Sequence, residues 1–418
     1  MKPKSPFFLL LLLLAFPGLT WSLATSGAAV SPGGGASEDC LACHGDKDLK
    51  TSAGQSMFID EVKSKASVHS QAGLECVDCH ADLKKIKDFP HPEKLKPVDC
   101  SVCHDKEAAE IKDSIHSQPH DGENPITVTC SSCHGTHEIR AKTDIESSVY
   151  AINIPETCES CHLSRVKTKK GSAFIQQYNQ SSHYIALQRA GLSLSATCFN
   201  CHGGHDVKAT SDPGSRVSRK NIIDTCGRCH VGIRKDYLEG VHGKDYVKGI
   251  KDVPVCTDCH SEHRILSPRD LNSVVYATKV AGVCSRCHDD ERLARQYGLL
   301  TSRLKTYSNS YHGTASKFGE TRVANCASCH GFHDIRTSSD PKSPINPANL
   351  SKTCGKCHPG AGQNFAKGKI HVISEKREAK GAYLAKVFYV VVIAGLISVF
   401  LIFIAADLYR RIRLRWKK

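Results

Sequence analysis

Unpaired cysteine is missing from this chain of 418 residues: all 22 cysteines fall into C-x-x-C pairs. No thiol is left for a disulfide between distant segments or for a lone catalytic nucleophile. Methionine is nearly missing too, and of the two present only Met57 lies beyond the start. The formal charge of +14 comes without an aromatic-rich basic segment or a recognisable nucleic-acid module, so a nucleic-acid partner has no support. Residues 387–406 carry no charge at all and contain no His, Asp or Glu, which excludes a metal ligand or a proton relay inside that run.

What is present is one pentapeptide, C-x-x-C-H, repeated eleven times. Zinc ribbons and redox dithiols also use C-x-x-C, but neither gives a reason for a His directly after every second Cys. With His at 23 of 418 positions, eleven such coincidences are not chance. The pattern is that of covalent c-type haem, in which two thiols add to the porphyrin vinyl groups and the adjoining imidazole ligates the iron. The thioether positions are then Cys40 and Cys43, Cys76 and Cys79, Cys100 and Cys103, Cys130 and Cys133, Cys158 and Cys161, Cys198 and Cys201, Cys226 and Cys229, Cys256 and Cys259, Cys284 and Cys287, Cys326 and Cys329, and Cys354 and Cys357. The proximal ligands are His44, His80, His104, His134, His162, His202, His230, His260, His288, His330 and His358. From Cys40 to His371 the chain resembles the multihaem c-type cytochromes, with paired motifs like those of the tetrahaem, class III proteins. The resemblance implies eleven haem c groups.

Twelve histidines lie outside the motifs. Eleven keep step with them and are candidate distal ligands: His69, His91, His116, His137, His183, His205, His242, His263, His312, His333 and His371. His120 falls out of phase. After the even-numbered motifs from the fourth onward the form is C-H-G-x-H, with Ser replacing Gly once, so His137, His205, His263 and His333 follow a proximal His by three residues. That spacing is too short for both rings to grip opposite faces of one haem. The second ring is therefore expected to reach a neighbouring iron. The second motif departs from the form, giving CHADLKKIKDFPH with His91 at its end.

Spacing also suggests a repeat. The isolated His follows the first, fifth and ninth motifs by 25, 21 and 24 residues, and the third, seventh and eleventh by 12, 12 and 13. CFNCHGGHDVKATSDP at 198–213 matches CASCHGFHDIRTSSDP at 326–341. Two tetrahaem blocks, 40–157 and 158–283, and a trihaem block, 284–386, follow from this. So many porphyrins on so short a chain leave little polypeptide for a core of its own. The expected fold is a haem-wrapped, mostly irregular chain with short α-helices. EAAEIKDSIH at 107–116 and IRKDYLEGVH at 233–242 read as helices ending on a ligand, and 211–220 and 338–350 read as loops.

The ends place the chain. Residues 1–24 have Lys2 and Lys4, an apolar run too short to span a bilayer, and a small-x-small ending, which read as a secretory signal peptide. Residues 25–39 read as a flexible linker. Residues 387–406 read as a transmembrane helix, since twenty residues at ~1.5 Å each cover a ~30 Å hydrocarbon layer. Residues 407–418 are a basic tail, cytoplasmic by the positive-inside rule, with the haem region in the periplasm of a bacterial inner membrane.

The expected function is periplasmic electron transfer rather than catalysis, between the quinone pool and periplasmic or outer-membrane cytochromes. The resembling quinol oxidisers carry their anchor at the N-terminus, so a separate cytochrome b-type membrane subunit is expected to feed this chain. The alternative is a reductase of nitrite, hydroxylamine or a sulfur oxyanion with one open haem. All eleven motifs end in His, and the supply of distal His meets the demand, which favours the carrier. His371 stands sixteen residues before the apolar run, so the Cys354/Cys357 haem is expected nearest the membrane.

Overall fold

The computed structural model describes residues 37–86, 90–118, 127–163, 169–365, 371 and 380–416. The signal peptide, most of the 25–39 linker, His120, Lys417 and Lys418 lie outside the described residues. The described residues form two compact units, each taken by itself: those up to 61 with those of 73–98, and those of 62–72 with those from 99 onward.

Short helices joined by turns make up the described residues, with no strand and one isolated bridge, Lys50 to Ser56. The buried inventory explains why. Among the described residues nine hydrophobic side chains are buried, Leu187 and Ile223 most completely, against twelve buried hydroxyl residues. Ile222, Ile223 and Val255 form a small cluster with Tyr237, Leu238 and Tyr246 packed around it. At ~1.5–3 kcal/mol per buried aliphatic side chain, such an interior cannot offset the entropy of ordering this much chain without another apolar body inside it.

The motifs occupy two kinds of helix. Even-numbered motifs open one: Cys130–His134, Cys198–His202, Cys256–His260 and Cys326–His330 each begin on the first Cys. The second variable residue of the motif caps its own helix, as Ser132, Asn200, Asp258 and Ser328 accept the backbone N–H of the residue before the first Cys. The next residue after the proximal His has positive φ, 80° at Gly135, 94° at Gly203 and 79° at Gly331, so the recurring form C-H-G has a backbone cause. Ser261 takes the same conformation at φ 66° and donates its hydroxyl to the Arg264 carbonyl. The first, fifth and ninth motifs instead close longer helices, Ser37–His44, Ile154–His162 and Val280–His288, the seventh and eleventh end the helices Ile222–Gly227 and Leu350–Gly355, and the third opens the short turn Cys100–Val102.

The isolated histidines open helices, and here the structure corrects the sequence reading. The helices Asp105–Lys112 and Val231–Glu239 stop short of His116 and His242, which sit second in the following Ile115–Ser117 and Val241–Val247. The cause is a cap between the two elements: Ser114, like Ser67, Ser181 and Ser310 at the equivalent places, has an extended backbone and accepts from an N–H of the new first turn.

Two devices tie these pieces together. After each even motif from the fourth onward, a buried serine, Ser147, Ser215, Ser273 or Ser343, donates back to the carbonyl of Arg140, Lys208, Leu266 or Arg336. Asn153, Asn221 and Asn349 then clamp the carbonyls of Ser147, Ser215 and Ser343, leading into the next odd-motif helix. This bracket recurs every two motifs, half the period drawn from histidine spacing. In the second device, the N–H groups of Val68, Ile115, Ser182 and Val241 donate to the carbonyls of Ile139, Val207, Ile265 and Ile335 at 2.9, 2.8, 2.8 and 2.7 Å.

At the C-terminal end, Lys380–Arg415 is a single helix of 36 residues, longer than the predicted 387–406 span at both ends. Among the described residues it is the one helix long and apolar enough to cross a membrane, and its apolar side chains, such as Phe400 and Phe403, are exposed.

Candidate haem-binding site

Capped helix starts and motif helices bring imidazoles face to face. In the larger unit nine pairs of rings stand with centroids 5.9–6.4 Å apart: His69 with His104, His116 with His162, His134 with His205, His183 with His230, His202 with His263, His242 with His288, His260 with His333, His312 with His358, and His330 with His371. In the smaller unit His44 faces His91 at 6.0 Å. Every pair joins one proximal and one distal candidate. An iron bound by two imidazoles at about 2 Å, with a ring radius of about 1.1 Å on either side, needs a centroid separation of about 6 Å. The residues present therefore fit a six-coordinate haem iron between each pair.

The facing ring is never that of the distal residue's own motif. Interior distal residues meet a motif two places away: His183, after the fifth, faces His230 of the seventh, and His263, after the eighth, faces His202 of the sixth. The last pair uses a shorter step, since His371 follows the eleventh motif and faces His330 of the tenth. His137 has the same position after its motif as His205, His263 and His333. His80, in the smaller unit, is half-buried, and burial pushes its pKa below the usual imidazole value.

The thiols lie along the same route. All 22 cysteines are free of disulfides, and Cys40 neighbours Cys76, Cys158 neighbours Cys198, Cys226 neighbours Cys256 and Cys284 neighbours Cys326. Cys133, Cys201, Cys259 and Cys329 neighbour Cys158, Cys226, Cys284 and Cys354 of the next motif. Among the described residues no three His, Cys, Asp or Glu side chains converge on a metal position, so the zinc alternative has no ligand cage here.

Comparison with known proteins agrees. The cytochrome c3 family model matches residues 68–162, and the doubled CXXCH motif model matches residues 249–293. The high-molecular-weight cytochrome c of Nitratidesulfovibrio vulgaris is 23% identical over 347 residues, 78% of this chain and 57% of that protein. The multiheme cytochrome MtrA of Shewanella baltica is 28% identical over 208 residues, 46% of this chain and 52% of that protein.

These matches and the facing ring pairs support a multihaem c-type cytochrome.

The cytochrome thus spans a little over half the length of each of these curated relatives, and no solved structure matches it. Its ligand environment suits iron. Burial pushes the imidazoles of His134, His183, His202, His260, His263, His288, His330 and His333 below the usual value, and holds His242 at about 4. These rings are neutral at pH 7, with a lone pair free for a metal. Second contacts fix which nitrogen is offered: Nδ1 of His44 lies 2.9 Å from the Met57 carbonyl, Nδ1 of His91 lies 2.9 Å from the Pro92 carbonyl, and Nδ1 of His371 lies 2.9 Å from the Thr306 hydroxyl. In each case Nε2 is left to ligate. Met57 contributes its backbone carbonyl to this contact. The Nδ1 atoms of His263 and His333 are buried without a partner among the described residues, which marks positions where a group beyond the polypeptide belongs.

Sequence reading missed the capping residue inside the even motifs. Its signal was the second variable position, which is Asp, Ser, Asn, Asp and Ser in the second, fourth, sixth, eighth and tenth motifs.

Proposed function

We propose that the cytochrome is an electron conduit of eleven covalently bound haems, each iron closed by two imidazoles so that no substrate binds a metal. The facing imidazole pairs carry this reading. The proximal ligands are the motif histidines, the distal ligands of ten irons are their ring partners, and His137 is the remaining distal candidate, while the motif cysteines hold the porphyrins. Haem supplies the one-electron chemistry; the chain holds both axial nitrogens in place, which keeps structural change on electron transfer small.

The contacts between successive motifs support a route in chain order. His134 neighbours His104, His202 neighbours His162, His260 neighbours His230, and His330 neighbours His288. The neighbouring cysteines bridge the alternate steps, from the fourth motif to the fifth and onward to the eleventh.

The helix Lys380–Arg415 anchors the chain in the bacterial inner membrane, with the haem region periplasmic and the basic end cytoplasmic. Electrons pass between the quinone pool, through a cytochrome b-type subunit, and periplasmic or outer-membrane cytochromes. The Cys354/Cys357 haem and the haem between His330 and His371 stand at the membrane end of the chain.

Carbon monoxide titration of the fully reduced protein tests the closed irons. No binding is expected up to saturating gas. A single haem that takes carbon monoxide would replace the conduit with the reductase reading. Replacing His371 with Ala should create one such haem and leave the other absorption bands unchanged.

A further inference from the structure

In the larger unit, four copies of one junction show how successive repeats join, and a fifth copy is open among the described residues. At each closed junction a distal His opens a short helix, and the N–H just before it donates to a carbonyl two residues beyond the His of a C-H-x-x-H segment, as Val241 does to Ile335. The entering segment lies directly on the cap. A Cβ added at Gly240 would meet the His333 carbonyl and the Ile335 backbone at 3.0 Å, and the caps Ser67, Ser114 and Ser181 are buried.

The same entry brings a haem motif with it. The segment that ends at Ile335 follows His330, and His330 neighbours His288, the ring partner of His242 beside the junction. The other three copies behave alike: His134, His202 and His260 neighbour His104, His162 and His230, the ring partners of His69, His116 and His183.

The fifth copy begins at the cap Ser310, whose hydroxyl accepts from Gly313, and is followed by Tyr311 and by His312, the ring partner of His358. Among the described residues no carbonyl accepts from the Tyr311 N–H, and Tyr311 is 82% exposed. The cap Ser310 is only half-buried. The segment that would close it belongs to a twelfth motif, which this sequence does not contain.

We propose that this open junction docks an extended C-H-x-x-H segment of a separate multihaem cytochrome, which sets the partner's haem beside the haem held by His312 and His358. The inference rests on the conduit reading. A second copy of this chain is a poor occupant, because its carbonyls at Ile139, Val207, Ile265 and Ile335 are already engaged and its second motif lacks the C-H-x-x-H form. An unpaired backbone donor at the end of an array is a ready template for one more segment.

The probe is a ten-residue peptide with the sequence of residues 331–340, carrying a fluorophore at its N-terminus and titrated into the full-length haem-loaded protein in detergent. Binding beside a haem quenches the dye. Tyr311 is the first helical position and Ser310 has φ −80° and ψ 162°, so Tyr311→Pro removes the donor while suiting the helix start. Saturable quenching is expected for the native chain and for Tyr311→Ala, weakened about fivefold or more by Tyr311→Pro, the loss of one net hydrogen bond of about 1 kcal/mol. Quenching that is not saturable, that a scrambled peptide reproduces, or that Tyr311→Pro leaves unchanged would overturn the proposal. So would sedimentation showing that the protein self-associates through this edge. Haem content and carbon monoxide binding of the same samples report separately on the conduit reading.

Discussion

Thr306 is buried, and its Oγ1 lies 2.9 Å from Nδ1 of His371 and 3.1 Å from the Ser302 carbonyl. With Nε2 on the iron, the ring Nδ1–H donates to the hydroxyl and the hydroxyl donates in turn to the Ser302 and Arg303 carbonyls, which makes the imidazole more electron-rich and favours ferric iron. Thr306→Val keeps the shape and removes the acceptor. One haem should then rise in potential by up to about 40 mV, the equivalent of a net hydrogen bond of about 1 kcal/mol for a one-electron couple. Protein-film voltammetry of the variant against the native chain measures it, and an unchanged or lowered potential would remove Thr306 from the account. At this scale the candidate ligands were legible in the sequence, because covalent haem attachment leaves a rigid local signature. Their partners were not. The pairing of His330 with His371 or His260 with His333 depends on which helices pack, and neither hydroxyl nor carbonyl partners leave a pattern along the chain.

Ring orientation separates the elements into two groups. Where a C-H-x-x-H segment supplies the second ring, the planes are nearly parallel, at 24°, 7° and 30° for the partners of His134, His202 and His260. Where a capped helix start supplies it, they are steeply inclined, at 62°, 60°, 56°, 53° and 51° for the partners of His104, His162, His230, His288 and His358. The angle between axial imidazoles sets the splitting of the iron d-orbitals, so the oxidised protein should give two overlapping low-spin EPR populations, one rhombic and one strongly anisotropic. A single homogeneous signal would contradict the element geometry. The loops at 211–220 and 338–350 were legible from Pro, Gly and Ser, and they form the turns of the serine brackets. The break between Asp105–Lys112 and Ile115–Ser117 was missed because Ser114 reads as an unremarkable polar residue until its backbone is seen to be extended.

Across the whole chain the sequence announced a cofactor-built molecule, since cysteine pairs, histidine supply and a thin aliphatic complement all point the same way. The buried set agrees: among the described residues twelve buried hydroxyl residues, four of which bracket turns, outnumber nine buried apolar side chains, so the polypeptide is a scaffold that holds porphyrins and not a core that stands alone. The order of the haems in space was beyond the sequence, because proximity along the chain does not specify which cysteines meet. Cys259 neighbours Cys284 and Cys329 neighbours Cys354, and the proposed route rests on such neighbours. The account depends first on haem occupying every motif. Intact mass of the purified mature protein decides this directly: eleven haem increments on one polypeptide are predicted, and a smaller number, or zinc in place of iron, would contradict it.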